Sequence, residues 1–286
     1  MITRTEASVR LATQQDRSRI ANLIHFEMRV HRSLDWKTPL DWLGSNPYFV
    51  LERNNRILSA MACPPDPPEI AWIRLFAVHA AISEREAWRT LWPATLDALQ
   101  AQPEIERVGA IPLHGWFRDL LAREGFENNH NIVMLAWDGR ELPEQRKVKD
   151  LNIRPMNFDD LPEVARIDHE AFIPIWRNSE DALSIAYRQA SLATIAEYQE
   201  KMVGYQISTS NSMGGHLARL AVAPGYQGIG IGFNLVSDVL AHFKQRGANQ
   251  VSVNTQGENL SSQALYKRIG FKYTGDIYPV YEFPLT

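Results

Sequence analysis

The spacing of apolar and polar residues predicts strands that alternate with helices, most clearly in the second half of the chain. An apolar run from Leu217 to Val222 predicts a strand. Beyond Pro224, apolar residues recur every three or four positions, which predicts an amphipathic helix that ends near Gly247. The apolar face of this helix consists of Leu235, Val236, Val239, Leu240 and Phe243.

Other elements are predicted around this strand and helix. A strand at Ile153-Arg154-Pro155 precedes a helix that begins near Asp159, with Pro162 in its first turn. Residues 194–198 and 202–208 predict a hairpin. Further strands are expected at 250–255 and around Phe271 and Val280, with a helix that carries Tyr266 between them. We therefore expect a mixed sheet with helices on both faces.

The first half of the chain repeats this order at a spacing of 144 or 145 residues. The spacing of 144 relates Val9-Arg10 to Ile153-Arg154, Asp16 to Asp160, Ile20 to Val164, and Ala77-Val78 to Ala221-Val222. The spacing of 145 relates Leu58 to Val203 and Gly125-Phe126 to Gly270-Phe271. We predict two tandem domains of one α/β (α+β) fold, residues 1–140 and 150–286, joined by the charged stretch 139–150.

Composition is typical of a globular cytoplasmic protein. The formal net charge is −3, so nothing indicates a nucleic-acid partner. No apolar run approaches the length of a membrane span, and the first residues do not resemble a signal peptide. Cys63 is the only cysteine, which excludes an internal disulfide and a multi-cysteine metal site. We expect no bound metal.

A glycine-rich turn lies between the predicted strand at 217–222 and the helix that follows it. Gly228, Gly230 and Gly232 leave backbone N–H groups bare at the positive end of a helix, which suits a diphosphate. The spacing differs from the dinucleotide fingerprint, and no Gly-Lys-Ser/Thr follows. A simple tight turn and a nucleotide-binding protein remain alternative interpretations.

The pattern Val222-x-Pro224-x-x-Gln227-x-x-Gly230-x-Gly232 resembles the acyl-CoA-binding signature of the GNAT N-acetyltransferase superfamily. The resemblance implies two tandem GNAT folds, each a mixed, mostly antiparallel sheet flanked by helices, with acetyl-CoA as co-substrate. The tandem order is also similar to that of mycothiol synthase, a likeness that fixes no substrate. In this segment the implied cofactor-binding residues are Leu220, Ala221, Val222, Gln227, Gly228, Ile229, Gly230, Ile231 and Gly232.

A second segment, from Asn259 to Phe271, resembles the closing helix of the same family. Asn259, Ser262 and Tyr266 are spaced to share one helical face, and Leu265 and Ile269 are expected to point toward a core. In the family the asparagine binds the pantetheine arm and the tyrosine faces the acyl-CoA sulfur. The resemblance therefore adds Asn259, Ser262 and Tyr266 to the cofactor site. Ser262 stands where many members have alanine.

The first half lacks the cofactor turn. After Val78 there is no glycine, and Ser83-x-x-Glu86 predicts a capping box whose side chains fill the donors that a diphosphate would need. We predict that residues 1–140 bind no acyl-CoA. Core packing is the favoured interpretation of the tryptophans here, and an aromatic groove for substrate is the alternative. These residues are Trp36, Trp42, Trp72, Trp88, Trp92, Trp116 and Trp137.

The resemblance implies transfer of an acetyl group from acetyl-CoA to a primary amine of a small molecule or peptide. Tyr266 is the candidate acid for the departing thiolate, and a backbone N–H near Ala221 or Val222 is the candidate donor to the thioester oxygen. A non-catalytic acyl-CoA sensor is the alternative function. We expect a monomer in which the two domains pair within one chain.

The general base and the acceptor are not identified by the sequence. The strand 216–222 carries no carboxylate, which leaves His216, Glu197 and Glu258 as open options. Phe172 and Trp176 are four residues apart, and they either line an acceptor pocket or cover the core.

Overall fold

Two compact units make up the computed structural model, which describes residues 7–139, 141–144, 147–211 and 214–285. The first unit comprises residues 1–129 and 279–286, and the second comprises 130–278. This division differs from the predicted seam at 140–150. The last strand of each half explains the difference, because residues 130–137 pack in the second unit and 279–285 in the first.

The first unit contains three helices and a five-stranded antiparallel sheet in the order β1-β3-β4-β6-β2. Beside it, the strand at residues 107–110 pairs in parallel with the strand at 70–72 and antiparallel with residues 281–284. The elements are β1 (Ser8–Leu11), α1 (Arg17–Phe26), β2 (Arg29–Arg32), β3 (Tyr48–Arg53), β4 (Arg56–Ala62), β5 (Ile70–Trp72), β6 (Leu75–Val78), α2 (Glu84–Gln100), β7 (Arg107–Ala110) and α3 (Gly115–Arg123).

The second unit contains four helices and a sheet in the order β8-β13-β12-β11-β10-β9. The pair β12 and β13 is parallel, and the other neighbours in this order are antiparallel. The elements are β8 (Glu127–Trp137), β9 (Leu151–Pro155), α4 (Leu161–Ala171), α5 (Glu180–Gln189), β10 (Leu192–Tyr198), β11 (Lys201–Asn211), β12 (Gly214–Val222), α6 (Ile231–Gln245), β13 (Val251–Gln256), α7 (Leu260–Ile269) and β14 (Lys272–Pro284).

Equivalent ion pairs show the repeat in atomic detail. In the first unit, Arg10 bonds Asp16 at 2.7 Å and Glu52 at 2.7 Å. In the second, Arg154 bonds Asp160 at 2.8 Å and Glu197 at 2.9 Å. The partners are again 144 or 145 residues apart, so the two arginines tie the same three elements together in each unit. The predicted tandem fold is confirmed.

The tryptophans of the first unit mostly fill its cores. Trp88 and Trp92 stack with ring centroids 4.9 Å apart beneath the sheet, and Trp42 is buried in a second cluster. Trp137, which the sequence placed in the first half, is buried in the core of the second unit. Core packing is therefore the role of these four side chains.

The described residues contain neither a helix that could span a membrane nor a cluster of metal ligands. None of the helices there is long and apolar enough to cross a membrane. The same residues contain no group of three or more His, Cys, Asp or Glu side chains that could hold a metal ion.

Candidate functional site

A groove of about 530 Å³ opens in the second unit where β12 and β13 separate. The two strands pair only through Gly215–Leu217 and Val251–Val253, so the last residues of β12 have no partner on β13. The residues that line the groove are Ala171, Phe172, Leu220, Ala221, Val222, Gln227, Gly228, Gly230, Gly232, Phe233, Asn259, Ser261, Ser262, Ala264, Leu265 and Arg268.

The predicted glycine turn forms one end of this groove. Gly228 and Gly230 have φ values of +80° and +103°, which only glycine adopts without strain, and Gly230 is the N-cap of α6. A Cβ at Gly228 would meet nothing within 4 Å, so the turn is open. No side chain in the described part of the chain caps α6. The turn therefore presents backbone N–H groups at the positive end of a helix, where an anion binds favourably.

The end of β12 directs one peptide group toward the groove. Ala223 N donates to Val203 O of β11 at 2.8 Å. Because alternate residues of an antiparallel strand bond the same neighbour, the N–H and C=O of Val222 point away from β11. The Gln227 side chain donates to Val222 O at 2.9 Å, which holds the turn against the strand. Of the two predicted donors, Val222 thus offers its N–H on the open side of β12, whereas the N–H of Ala221 faces β11.

Helix α7 forms the opposite wall. Asn259 is its N-cap, and its Oδ1 accepts from Ser262 N at 3.0 Å and from Ser261 Oγ at 2.9 Å. The asparagine therefore has a structural role as well as a place in the groove lining. Leu265 packs against the core of the second unit, as predicted, and it also lines the groove with Ser261 and Arg268. Ile269 is buried as predicted.

Tyr266 on α7 is not among the residues that line the groove, and its side chain is buried in the core. Its ring is 4% exposed, and its centroid is 5.6 Å from that of Phe271. Burial raises the pKa of Tyr266 well above its usual range, and the charge of Arg219 opposes this shift. The hydroxyl therefore keeps its proton at neutral pH. Among the residues that the structure describes, none forms a hydrogen bond with it.

Three other predicted site residues lie outside the groove lining. Ile229 is exposed at the tip of the turn. Ile231 is buried with Leu235 in a small cluster under β10 and β11, so only its backbone faces the turn. Trp176 lies beside His130, with ring centroids 5.7 Å apart. Phe172, the other candidate acceptor residue, does line the groove.

A buried ion pair beside the groove was missed by sequence reasoning. Arg219 of β12 bonds both oxygens of Asp168 on α4, at 2.7 and 2.8 Å, and Asp168 is fully buried. The Tyr205 hydroxyl also donates to Asp168, and burial raises the pKa of that hydroxyl well above its usual range. The guanidinium carbon lies 3.7 Å from the centroid of Phe172. This network fixes the wall that Phe172 contributes.

The three candidate bases differ in their surroundings. Burial lowers the pKa of His216, whose Nδ1 lies 2.9 Å from Ser252 Oγ in the paired part of β12 and β13. Hydrogen bonds from Arg154 and then Asn152 lower the pKa of Glu197. Glu258 lies 3.2 Å from His130 Nδ1.

The corresponding helix of the first unit begins differently. Ser83 Oγ accepts from Glu86 N at 3.1 Å. A side chain therefore bonds a backbone N–H in the first turn of α2, whereas no side chain among the described residues caps the first turn of α6. Glu84 and Glu86 add negative charge to the first turn. The Ser83 half of the predicted capping box forms, and an anion is disfavoured there.

Several groove residues were absent from the sequence prediction. Ser261, Ala264 and Arg268 follow the helical spacing from the groove end of α7, and this spacing could have revealed them. Ala171 and Phe233 are brought in by tertiary packing and carry no such signal.

Comparisons with known proteins agree on one family. The model of the Acetyltransferase (GNAT) family matches residues 161–271. Peptidyl-lysine N-acetyltransferase YjaB of Salmonella typhimurium is 33% identical over 122 residues, which span 37% of this chain and 78% of that protein.

Two solved structures share the fold across the whole chain. A GCN5-related N-acetyltransferase from Sphaerobacter thermophilus gives a TM-score of 0.63 at 15% identity, over 98% of this chain and 96% of that one. A tandem GNAT protein from the clavulanic acid biosynthesis pathway gives a TM-score of 0.63 at 13% identity, over 98% and 99%. At these identities the likeness shows the fold alone.

Proposed function

Because the chain belongs to the GNAT acetyltransferase family, we propose that its second unit transfers an acetyl group from acetyl-CoA to a primary amine of a small molecule or peptide. The observation that carries the proposal is the open, uncapped glycine turn at the start of α6, which lies in one groove with the unpaired end of β12. A diphosphate and an extended thioester arm need these two features side by side.

The residues of the groove fit such a co-substrate. The N–H groups of the turn 228–232 would hold the diphosphate, and Arg268 adds a positive side chain to the lining. Asn259 and Ser262 on one wall, with 220–222 on the other, would hold the pantetheine arm. When bound, acetyl-CoA supplies an acetyl group activated as a thioester.

The chain offers two groups for the chemistry. The Val222 N–H can donate to a carbonyl oxygen that lies beside the open end of β12. The Tyr266 hydroxyl holds its proton at neutral pH and can give it to a departing thiolate.

The acceptor is proposed to be a lysine-type primary amine. The Salmonella relative is described as a peptidyl-lysine N-acetyltransferase. A lysine amine is mostly protonated at neutral pH, with a reference pKa of ~10.4, so the site must also remove a proton. A cytoplasmic location and a monomeric state stay predictions.

A sensor that binds acyl-CoA without catalysis is the second candidate. It is favoured by the absence of a carboxylate from β12, where Arg219 is instead committed to Asp168. Acetyl transfer to any amine would eliminate this alternative.

The first experiment measures CoA binding by calorimetry for the parent and for Gly230→Glu. We expect one CoA per chain and loss of binding in the variant, because a side chain and a negative charge enter the turn. Gly247→Glu is the matched control, since Gly247 has a φ of +79°, open surroundings and a place at the other end of α6. Two CoA per chain would contradict the inference that the first unit binds none.

The second experiment measures thiol release from acetyl-CoA with lysine peptides, polyamines, amino acids and aminoglycosides as acceptors. Release that requires both substrates supports the transferase. CoA binding without release supports the sensor, and preference for ATP or a nicotinamide dinucleotide over CoA would overturn both.

A further inference from the structure

A cluster of three side chains in the second unit contains an imidazole and a carboxylate, two groups that are absent from the described residues of the groove lining. We propose that Trp176, His130 and Glu258 form a subsite for a protonated primary amine, in which His130 accepts the proton that the amine must lose before acetylation. The proton-transfer part of this inference rests on the proposed function, whereas the amine-binding part does not.

His130 contacts each of the other two side chains. The rings of His130 and Trp176 are 5.7 Å apart at an interplanar angle of 70°. His130 Nδ1 lies 3.2 Å from Glu258 Oε1. The side chains of His130 and Glu258 are 23% and 52% exposed, so a ligand can reach both.

The cluster adjoins both walls of the groove. On one side, Trp176 O accepts from Arg219 at 2.6 Å, and Arg219 lies over Phe172, which lines the groove. On the other side, Glu258 directly precedes Asn259, another lining residue. The subsite therefore lies where β12 and β13 have separated, next to the open end of β12.

The charges favour a cation. Asp168 neutralises Arg219 through two hydrogen bonds, so the carboxylate of Glu258 is the charge that the cluster itself contributes. The face of an indole such as Trp176 attracts ammonium groups, by about 0.5–2 kcal/mol. The indole of Trp176 and the carboxylate of Glu258 can therefore bind an alkylammonium group together.

The arrangement also suits proton transfer. With Nδ1 protonated and donating to Glu258, the imidazole of His130 accepts a proton at Nε2. The N–H bond of the ammonium breaks as this N–H bond forms, and the amine keeps the electron pair that bonds the acetyl carbon. Glu258 stabilises the imidazolium, which then loses its proton to water.

The other candidate bases are less suitable. His216 bonds Ser252 in the paired part of β12, four residues and roughly 13 Å along the strand from Leu220. Glu197 lies on β10, two strands away from β12, and is held by Arg154 and Asn152.

The test of proton transfer compares His130→Gln with His169→Gln, an exposed histidine on α4. With a lysine peptide as acceptor, His130→Gln should reduce kcat/KM by ~10²-fold near pH 7. The loss should shrink near pH 10, where much of the amine is already neutral. CoA affinity should not change. A loss of equal size at both pH values, or no loss, would overturn the assignment of His130 as base.

The test of amine binding needs no turnover. The parent is titrated with n-butylamine in the absence of acetyl-CoA, while NMR follows the His130 imidazole and the Trp176 indole. Both signals should shift in the parent, and Trp176→Leu or Glu258→Gln should weaken binding by about tenfold or more, whereas Glu170→Gln should not. Unchanged signals would overturn the subsite.

The two tests separate the two proposals. Amine binding without acetyl transfer would contradict the proposed function and leave the subsite standing. Transfer at the parent rate in all three subsite variants would contradict the subsite and leave the function standing.

Discussion

Removal of the Asp168 carboxylate should destabilise the second unit more than most single substitutions. Asp168 is fully buried and accepts hydrogen bonds from Arg219, Tyr205 and the backbone N–H of Asn178. In Asp168→Ala the Arg219 guanidinium, whose side chain is 14% exposed, stays inside without a counter-charge.

The expected cost is about 3–5 kcal/mol in the free energy of unfolding, the range for breaking a buried pair by removal of one partner. For a unit of this size, ~2–4 °C of Tm is lost per kcal/mol, so Tm should fall by roughly 6–20 °C. The loss of stability comes mainly from the buried, unpaired charge of Arg219 and less from the hydrogen bonds that Asp168 no longer accepts.

Replacing the groups that lose their partner should therefore restore stability. Asp168→Leu combined with Arg219→Met removes both charges, and most of the loss should return. The Tyr205 hydroxyl would still lack its acceptor, which costs about 1–3 kcal/mol, so adding Tyr205→Phe should recover more.

The assay is urea unfolding followed by circular dichroism, with calorimetric Tm as a second measure. The surface variant Glu170→Gln is the control. A loss below about 1 kcal/mol in Asp168→Ala would refute the reasoning. So would a double variant as unstable as the single one, because the cost would then not arise from the unpaired charge.

Three further predictions test the site, a helix cap and the acid response. Tyr266→Phe should lower kcat by ~10²-fold with CoA affinity unchanged, and parent-like turnover with any acceptor would exclude the acid role. Ser83→Ala should cost about 0.5–2 kcal/mol in urea unfolding and leave CoA binding intact, whereas a change in CoA affinity would contradict the absence of a site in the first unit. The hydrogen bond from Arg154 lowers the pKa of Asp160, so this carboxyl stabilises the fold above its unfolded pKa of ~3.9, and the contribution is lost as pH falls through the folded pKa. Asp160→Asn should therefore lower Tm at neutral pH and flatten its fall below about pH 4, and a parallel pH profile would contradict this.

Local signals made much of the second unit predictable. The glycine turn and α6 follow from the positive-φ positions and from apolar spacing, and the hairpin follows from alternation. The place of Leu265 in the groove lining was not predicted, because helical spacing defines a face but not everything that the face contacts. The contact of Leu265 with the groove depends on tertiary packing.

Long-range pairings set the limit of prediction. His130 was missed because its partner Glu258 is 128 residues away and because β8 was assigned to the first half. The same limitation applies to Asp168 and Arg219, 51 residues apart. Neither pair leaves a local pattern, since each depends on which strands become neighbours.

The placement of residues 279–285 in the first unit has a consequence for synthesis on the ribosome. β7 emerges long before the strand segment that pairs with it at 281–284, and the whole second unit is translated in between. At ~5–20 residues per second the delay is on the order of ten seconds. During that interval the nascent chain presents an unpaired strand edge, which other nascent chains can engage. Chaperone dependence should therefore be concentrated before residues 281–284 emerge from the ribosome.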